Sequence, residues 1–260
     1  MHDRALMLAI LGGVFAFLYI PISVLVALSF NEGGLPTAWT GFSLKWYGAL
    51  WQSPDILHAA LNTLIVGLIS AGVATVLGTF LAIGMEIRRR KGGALEALVF
   101  APMIIPDVVL AIALLSFFSL LKVPLGLHTI IAAHVVFNLA FVCAVVRARL
   151  KSFDWAIVEA SADLGAAASV TYRRIVLPVL APAIMAGGLL AFTLSVDEFI
   201  IAFFTAGAGR GSTTLPMQIY AMIRFGVTPE INALATLVMA VSVTALALAQ
   251  RLNKGGLPGQ

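Results

Sequence analysis

Three carboxylates stand inside apolar stretches of the sequence, where carboxylates are uncommon. Asp107 lies in the segment PMIIPDVVLAI, and Asp197 and Glu198 are adjacent in FTLSVDEFIIAFF. Burying a carboxylate in a bilayer is costly, so such a residue normally faces a cavity or a charged partner. We predict that at least one of the three lines a pathway for a cationic substrate.

Two other roles remain open for these acids: a cap at a helix break near Ser195, or an ion pair with a partner subunit. Adjacent residues on a helix point about 100° apart, so Asp197 and Glu198 are not expected to face one pathway together. Aromatic faces near the acids could also hold an ammonium group, although packing in the core or against lipid is their commoner use. The aromatic residues concerned are Phe192, Phe199, Phe203 and Tyr220.

The sequence shows no pattern typical of an enzyme or a metal site. It contains no Walker A motif, no His-Glu-x-x-His and no Gly-x-Ser-x-Gly, and its one cysteine, Cys143, lies in an apolar run. The four histidines lack the spacing of metal ligands. We therefore predict no catalytic residue, no metal and no cofactor bound by this chain; if ATP drives the protein, another chain binds ATP and Mg²⁺. The histidines are His2, His58, His128 and His134.

The composition requires a bilayer as the solvent. Hydrophobic residues make up 61% of the chain and charged residues 11%, whereas a soluble domain carries about one quarter charged residues. A length of 260 residues suits one membrane domain. The net charge of +4 does not indicate nucleic acid, because the basic residues flank apolar segments instead of covering one face.

The predicted fold class is an all-α membrane protein with six transmembrane helices. A helix needs about 20 apolar residues to cross the hydrocarbon core. Ala5–Phe30 carries no charge and is too long for the apolar region of a signal peptide, so we predict a first transmembrane helix there, kinked at Pro21. The second and fifth spans are rich in glycine, which favours close helix packing. The other five predicted spans are Ala59–Met85, Ala97–Leu121, Thr129–Val146, Ala183–Thr205 and Ile231–Gln250.

The distribution of Lys and Arg predicts the orientation. With six spans, one side of the membrane holds twelve of these residues and the other side holds four, Lys45, Lys122, Arg210 and Arg224. Basic residues collect on the cytoplasmic side, so both termini and the polar segment around residues 159–178 are predicted to be cytoplasmic. The first external loop, residues 31–58, is rich in tryptophan, which indicates either a membrane-surface anchor or a docking surface for a soluble partner.

The polar segment Glu159–Pro178 is rich in alanine and is predicted to be helical. Asp154 can cap a helix that begins near Trp155, and Gly165 can end it in a left-handed conformation. A helix of about ten residues is marginal alone, so it must pack on something. Pro178 is then expected to mark a sharp return into the membrane.

This segment resembles the "EAA" loop of ABC-importer permeases. The matching pattern is Glu-Ala-Ser, three residues, Gly165, nine residues and then Ile-x-Leu-Pro. In that family the loop is the coupling helix that docks into the ATPase subunit. Ser161 stands where the family usually has a second alanine, which keeps the side chain small. The resemblance assigns ATPase coupling to Glu159, Ala160, Ser161, Asp163, Gly165, Ile175, Leu177 and Pro178.

The resemblance extends along nearly the whole chain to spermidine/putrescine permeases of this family. Pro106-Asp107, Asp197-Glu198-Phe199 and the run from Gly226 to Thr236 carry it, together with shorter matches elsewhere. It implies the type I importer fold in a bacterial inner membrane. It also implies a second homologous permease, two ATPase subunits and a periplasmic substrate-binding protein. The family often has Asp-Asp where this chain has Asp197-Glu198, so the ligand could differ.

We therefore expect the permease subunit of an ATP-driven polyamine importer, which contacts lipid and works by alternating access. An ABC permease for another small solute is one alternative. A stand-alone secondary cation transporter that uses the three acids is another alternative. Many such transporters are built from paired repeats, and the sequence shows no second copy of its group of spans. The expected organisation is a first helix and external loop over 1–56, a permease domain over 57–250 with the coupling loop at 154–182, and a cytoplasmic tail over 251–260.

Overall fold

The computed structural model describes residues 2–34, 38–87, 93–224, 226 and 228–254, and helices dominate this part of the chain. Its only extended pairing is a single bridge between Asn31 and Phe42. The helices, in chain order, are α1 (His2–Leu28), α2 (Lys45–Gln52), α3 (Pro54–Ile87), α4 (Gly93–Ile104), α5 (Asp107–Leu120), α6 (Leu127–Leu150), α7 (Ala156–Asp163), α8 (Ala168–Thr171), a π turn (Tyr172–Val176), α9 (Leu177–Asp197), α10 (Ile200–Thr205), a 3₁₀ turn (Arg210–Ser212), α11 (Leu215–Ile223) and α12 (Pro229–Lys254).

Four stretches within the described ranges are long and apolar enough to cross a membrane: Leu6–Leu28, Pro54–Ile87, Leu127–Leu150 and Ala168–Asp197. The pair α4 and α5 passes the same test together, which makes five if each bent pair counts as one span. A shorter apolar helix covers Pro229–Val241. The all-α membrane fold is therefore confirmed, while the count of six spans and the side of each terminus stay predictions.

The prediction of one uninterrupted helix over Ala97–Leu121 is wrong. The chain bends by 110° from the axis of α4 to that of α5, and the break lies at Ile105 and Pro106. Proline has no N–H to donate and disfavours the helical conformation of the residue before it. Pro106 itself adopts φ −55° and ψ 136°, so α5 begins afresh at Asp107.

The predicted fifth span, Ala183–Thr205, is displaced in the structure. The helical path begins at Ala168, continues past Pro178 and ends at Asp197. The expected sharp return at Pro178 is therefore wrong. A π turn precedes this proline, with the Leu177 N–H donating to the Tyr172 carbonyl, and its wider spacing accommodates a residue that lacks an N–H.

The described residues fall into two compact units, and the larger one, His58–Gln218, holds the buried core. Within it, α6 and α9 pack together and α3 lies against both. A Cβ atom built on Gly78 would stand 2.9 Å from Val142 Cβ, so a larger side chain would separate α3 from α6. This confirms the predicted use of glycine at that position, whereas Gly72 and Gly84 have open space around them.

An ion-pair cluster links α3, α4 and α6 in the same unit. The Arg147 guanidinium donates to both carboxylate oxygens of Glu96, over 2.5 and 2.9 Å, and its Nε lies 3.9 Å from Glu86 Oε2. Bidentate contacts of this kind are geometrically specific. They join the end of α6 to the start of α4.

The smaller unit comprises Met1–Leu57 and Ile219–Gln260, and in it α12 packs on α1 and α2. Its tryptophan-rich loop is organised around Asn31, whose side chain accepts the Thr40 N–H and donates to the Ala38 carbonyl, both over 2.8 Å. The Trp46 indole N–H donates to the Asn31 carbonyl over 2.8 Å, so this tryptophan holds the loop together. Trp39 and Trp51 are exposed.

Candidate functional site

The end of α9 forms the centre of the site. The helix stops at Asp197, Glu198 adopts an extended conformation with φ −71° and ψ 118°, and α10 begins at Ile200. The Glu198 carboxylate turns back onto α10, accepting the Ile201 N–H at Oε1 over 2.9 Å and the Ala202 N–H at Oε2 over 3.0 Å. The first N–H groups of a helix lack partners within it and carry partial positive charge, so a carboxylate satisfies both needs.

A buried polar network lies behind this break. The Ser195 hydroxyl is hydrogen-bonded to His134 Nδ1 over 2.6 Å and to the Ser70 hydroxyl over 3.0 Å. His134 Nε2 lies 3.6 Å from Glu198 Oε2. Ser70, His134 and Ser195 are all buried. The network thus connects α3, α6 and α9 at the point where α9 ends.

Sequence reasoning missed His134, because it considered the histidines only as metal ligands. A usable signal was present: His134 lies in a charge-free stretch of the fourth predicted span, one helical turn before Asn138. Polar side chains at i, i+4 share a face of a helix, and that face has to meet other polar groups.

A cleft of about 500 Å³ opens at the break. Asp107 reaches it from the first position of α5, and Asp197 reaches it from the last position of α9. Both aspartates are exposed, whereas the Glu198 side chain is only 7% exposed. The cleft is lined by Asp107, Phe137, Thr193, Leu194, Asp197, Glu198, Phe199 and Ile200.

The structure therefore brings together all three acids singled out by the sequence. Asp197 and Glu198 both border the cleft, but the Glu198 carboxylate is turned back onto α10, and the expectation that the two would not face one pathway together stays a prediction. The role left open for a helix-break cap is occupied by Glu198. Of the aromatic residues considered, Phe199 borders the cleft, while Phe192 packs into the core.

The polar segment after α6 folds as predicted at both ends of its helix. The Asp154 carboxylate accepts the Ala156 N–H over 3.0 Å, which caps the start of α7. Gly165 has φ +77°. Its N–H donates to the Ala162 carbonyl over 2.9 Å, and the Ala166 N–H donates to the Ser161 carbonyl over 3.1 Å. This pair of bonds is the Schellman helix ending, which favours glycine at that position.

Helix α7 has no buried residue; Val158 packs against the edge of the core, whereas Ile157 and Leu164, the residue after the helix, are exposed. Leu164 is 88% exposed and Ile157 is 44% exposed. The Ser161 hydroxyl is hydrogen-bonded to the Thr171 hydroxyl over 2.8 Å, which ties α7 to α8. Ser161, the departure from the pattern of the resembled loop, therefore acquires a structural contact that alanine could not make. Ile175 and Leu177 are half-buried and Pro178 is exposed.

These features define a class of protein: a helical membrane permease with an acid-lined cleft and a separate, uncovered helical segment. The chain belongs to the family described as "Binding-protein-dependent transport system inner membrane component", whose model matches residues 74–254.

The chain is similar to polyamine permeases of known name. It is 37% identical over 260 residues to the "Spermidine/putrescine transport system permease protein PotC" of Escherichia coli (strain K12), covering 100% of this chain and 98% of that protein. It is 41% identical over 233 residues to the "Putrescine transport system permease protein PotI" of the same strain, covering 86% of this chain and 82% of that protein.

Solved structures confirm the importer fold. A bacterial ABC transporter involved in the import of the acidic polysaccharide alginate superposes with a TM-score of 0.79 at 17% identity, covering 99% of this chain and 97% of that chain. The MetNI methionine ABC transporter, in an inward-facing conformation, superposes with a TM-score of 0.65 at 18% identity, covering 81% and 99%. At such identities the likeness concerns the fold alone.

Proposed function

We propose that this chain is the permease subunit of an ATP-driven importer for polyamines such as spermidine or putrescine, in the inner membrane of a bacterium. The cleft that exposes Asp107 and Asp197 is the observation that carries the proposal, because two carboxylates attract a ligand with several ammonium groups. The names of the two relatives supply the choice of polyamine. The aromatic face of Phe199 can add cation–π attraction at the same place.

The geometry divides the work among the three acids. The Glu198 carboxylate offsets the positive end of α10, which would otherwise repel a cation entering the cleft. The exposed carboxylates of Asp107 and Asp197 are then the groups that meet the substrate. The substrate-pathway role, for which all three acids were candidates, therefore belongs in this proposal to the two aspartates, with Glu198 acting on the helix end.

The energy for transport comes from partner chains in this proposal. Two ATPase subunits bind ATP and Mg²⁺, a second homologous permease completes the membrane domain, and a periplasmic binding protein delivers the substrate. Helix α7 is the element that docks into the ATPase in this proposal, since Ile157 on the helix and Leu164 directly after it are exposed apolar residues. Closure of the ATPase pair then moves α7, and the cleft alternates between outward and inward access.

The first test is the ATPase activity of the complete complex in lipid nanodiscs. We expect stimulation by substrate-loaded binding protein with spermidine or putrescine, none with an anionic solute of similar size, and a higher KM in Asp197→Asn. Stimulation by an unrelated solute would support an ATP-driven importer and contradict polyamine as its substrate. Gradient-driven uptake by this chain alone in liposomes would contradict the proposal as a whole.

The coupling role of α7 is tested at Gly165. A β-branched residue is strained at φ +77°, so Gly165→Val should disturb the end of α7 and leave ATP hydrolysis running without uptake. Gly226→Val is the matched control, since Gly226 has φ +115° and, like Gly165, open space around it. Normal uptake in Gly165→Val, or equal uncoupling by the control, would count against α7 as the coupling element.

A further inference from the structure

No proline or glycine causes the break between α9 and α10. Between Gly188 and Gly207 the chain contains neither residue. The break is instead accompanied by a local side-chain cap, because the Glu198 carboxylate accepts the N–H groups of Ile201 and Ala202, three and four residues further on. What holds that carboxylate in the capping position from outside this stretch is therefore the question.

The side chain that approaches this carboxylate from another helix is His134, on α6. His134 Nε2 lies 3.6 Å from Glu198 Oε2 and has no hydrogen-bond partner closer than that, although the atom is buried. A typical N–H···O hydrogen bond measures about 2.7–3.2 Å, so a small shift would close the contact. Both side chains are nearly sealed from solvent, at 1% and 7% exposure.

The other ring nitrogen determines which way the imidazole points. His134 Nδ1 is hydrogen-bonded to the Ser195 hydroxyl over 2.6 Å, and the Ser70 hydroxyl is bonded to Ser195 in turn. The approach of Nε2 to the Glu198 carboxylate favours the tautomer that carries the proton on Nε2, because two acceptors would otherwise face each other. In that tautomer the Ser195 hydroxyl donates to Nδ1, and the network from α3 fixes the direction of the ring.

We propose that His134 is a positioning residue for the cation cleft. Through Nε2 it holds the Glu198 carboxylate on the end of α10, which keeps the chain broken after Asp197 and leaves the Asp197 carboxylate in the cleft. One part of the inference, that the cleft receives a cation, rests on the proposed function. The holding of Glu198 is independent of any substrate and can be measured without one.

Two substitutions separate this role from simple packing. The amide nitrogen of glutamine can reach the place of Nε2, so His134→Gln keeps a donor for Glu198. The shorter side chain of asparagine reaches only the place of Nδ1, so His134→Asn keeps the contact with Ser195 and loses the one with Glu198. If His134 served only to join α6 to α9 through Ser195, the asparagine variant would be the milder of the two.

The experiment uses the complete complex in nanodiscs with two readouts. Hydrogen exchange of the Ile201 and Ala202 amides, without polyamine, reports whether Glu198 stays on the helix end. We expect His134→Asn to speed this exchange roughly fivefold, the effect of a lost helix cap, and His134→Gln to stay near wild type. The KM for spermidine-loaded binding protein in stimulated ATPase should rise about tenfold in His134→Asn, with kcat less affected, and should be largely restored in His134→Gln.

The outcomes separate the two proposals. Equal exchange in wild type and His134→Asn, or a milder phenotype for asparagine than for glutamine, overturns the positioning role. Faster exchange in His134→Asn in a complex that no polyamine stimulates supports the positioning role and refutes the polyamine function. Faster exchange with an unchanged KM shows that His134 holds the break but that the break does not affect substrate recognition in the cleft. This result also overturns the inference.

Discussion

Asp107 and Asp197 both reach the cleft from a helix break, yet the two breaks have different causes. Between α4 and α5 the cause is in the backbone, because Pro106 cannot continue the helix and excludes Ile105 from it. Between α9 and α10 no such residue exists, and the extended conformation of Glu198 is held by a side-chain cap and a buried network. The break at Pro106 follows from the residue itself, whereas the break at Glu198 also depends on contacts with other helices.

This difference gives the two aspartates different kinds of support. Asp107 stands at the start of a helix whose first residue is set by the preceding proline. Asp197 stands at the end of a helix that could continue if Glu198 left its position. We therefore expect substitutions around the second break to disturb the cleft more than substitutions around the first.

The largest effect is expected for Glu198→Ala, which removes both bonds to the α10 N–H groups. Loss of a charged cap and exposure of two buried donors should lower the free energy of unfolding by about 2 kcal/mol and abolish spermidine uptake in proteoliposomes. The stability and uptake of Glu198→Gln, whose amide oxygen can still accept one N–H, should lie between those of the wild type and of Glu198→Ala. Wild-type stability and uptake in the alanine variant would mean that the Glu198 carboxylate does not maintain the second break.

The first break is tested with Pro106→Ala. Removing the proline should allow α4 and α5 to straighten, since no cap is known to hold them apart within the described residues. Spin labels at Leu98 and Leu120, both exposed, would then separate toward about 33 Å, the length of an unbroken helix at 1.5 Å per residue. Pro182→Ala is the matched control, because Pro182 lies inside the uninterrupted α9. An unchanged distance in Pro106→Ala would show that packing, and not the proline, maintains the 110° bend.

A smaller effect is expected from neutralising one aspartate at a time. Asp107→Asn and Asp197→Asn should each raise the KM for spermidine-loaded binding protein about tenfold, which corresponds to about 1.4 kcal/mol, because each removes one attractive charge. Glu230→Gln is a control of equal charge change, outside both the residues that line the cleft and the tryptophan-rich loop. A similar rise in KM for the control would attribute the effect to the overall charge of the protein. A rise in KM for only one aspartate variant would assign substrate contact to that aspartate alone.

Much of the fold followed from the sequence because its signals are short-range. Apolar runs identified the long apolar helices, and Asp154 and Gly165 correctly marked both ends of α7, since caps act within a few residues. The bend at Pro106 had a visible local cause and was still missed, because the length of the apolar run outweighed a single proline. At Pro178 the opposite error arose, since this proline follows a π turn and lies in the first turn of the α-helical part, where a missing N–H is tolerated.

The candidate site divides in the same way. The rarity of carboxylates in apolar segments was enough to single out Asp107, Asp197 and Glu198, because the cost of burying charge is a property of each residue alone. Their meeting in one cleft and the link from Glu198 through His134 and Ser195 to Ser70 were decided by tertiary structure. The link joins His134 to Ser195 across 61 positions and Ser70 to Ser195 across 125, and only the packing of α3 and α6 against the end of α9 brings these side chains together.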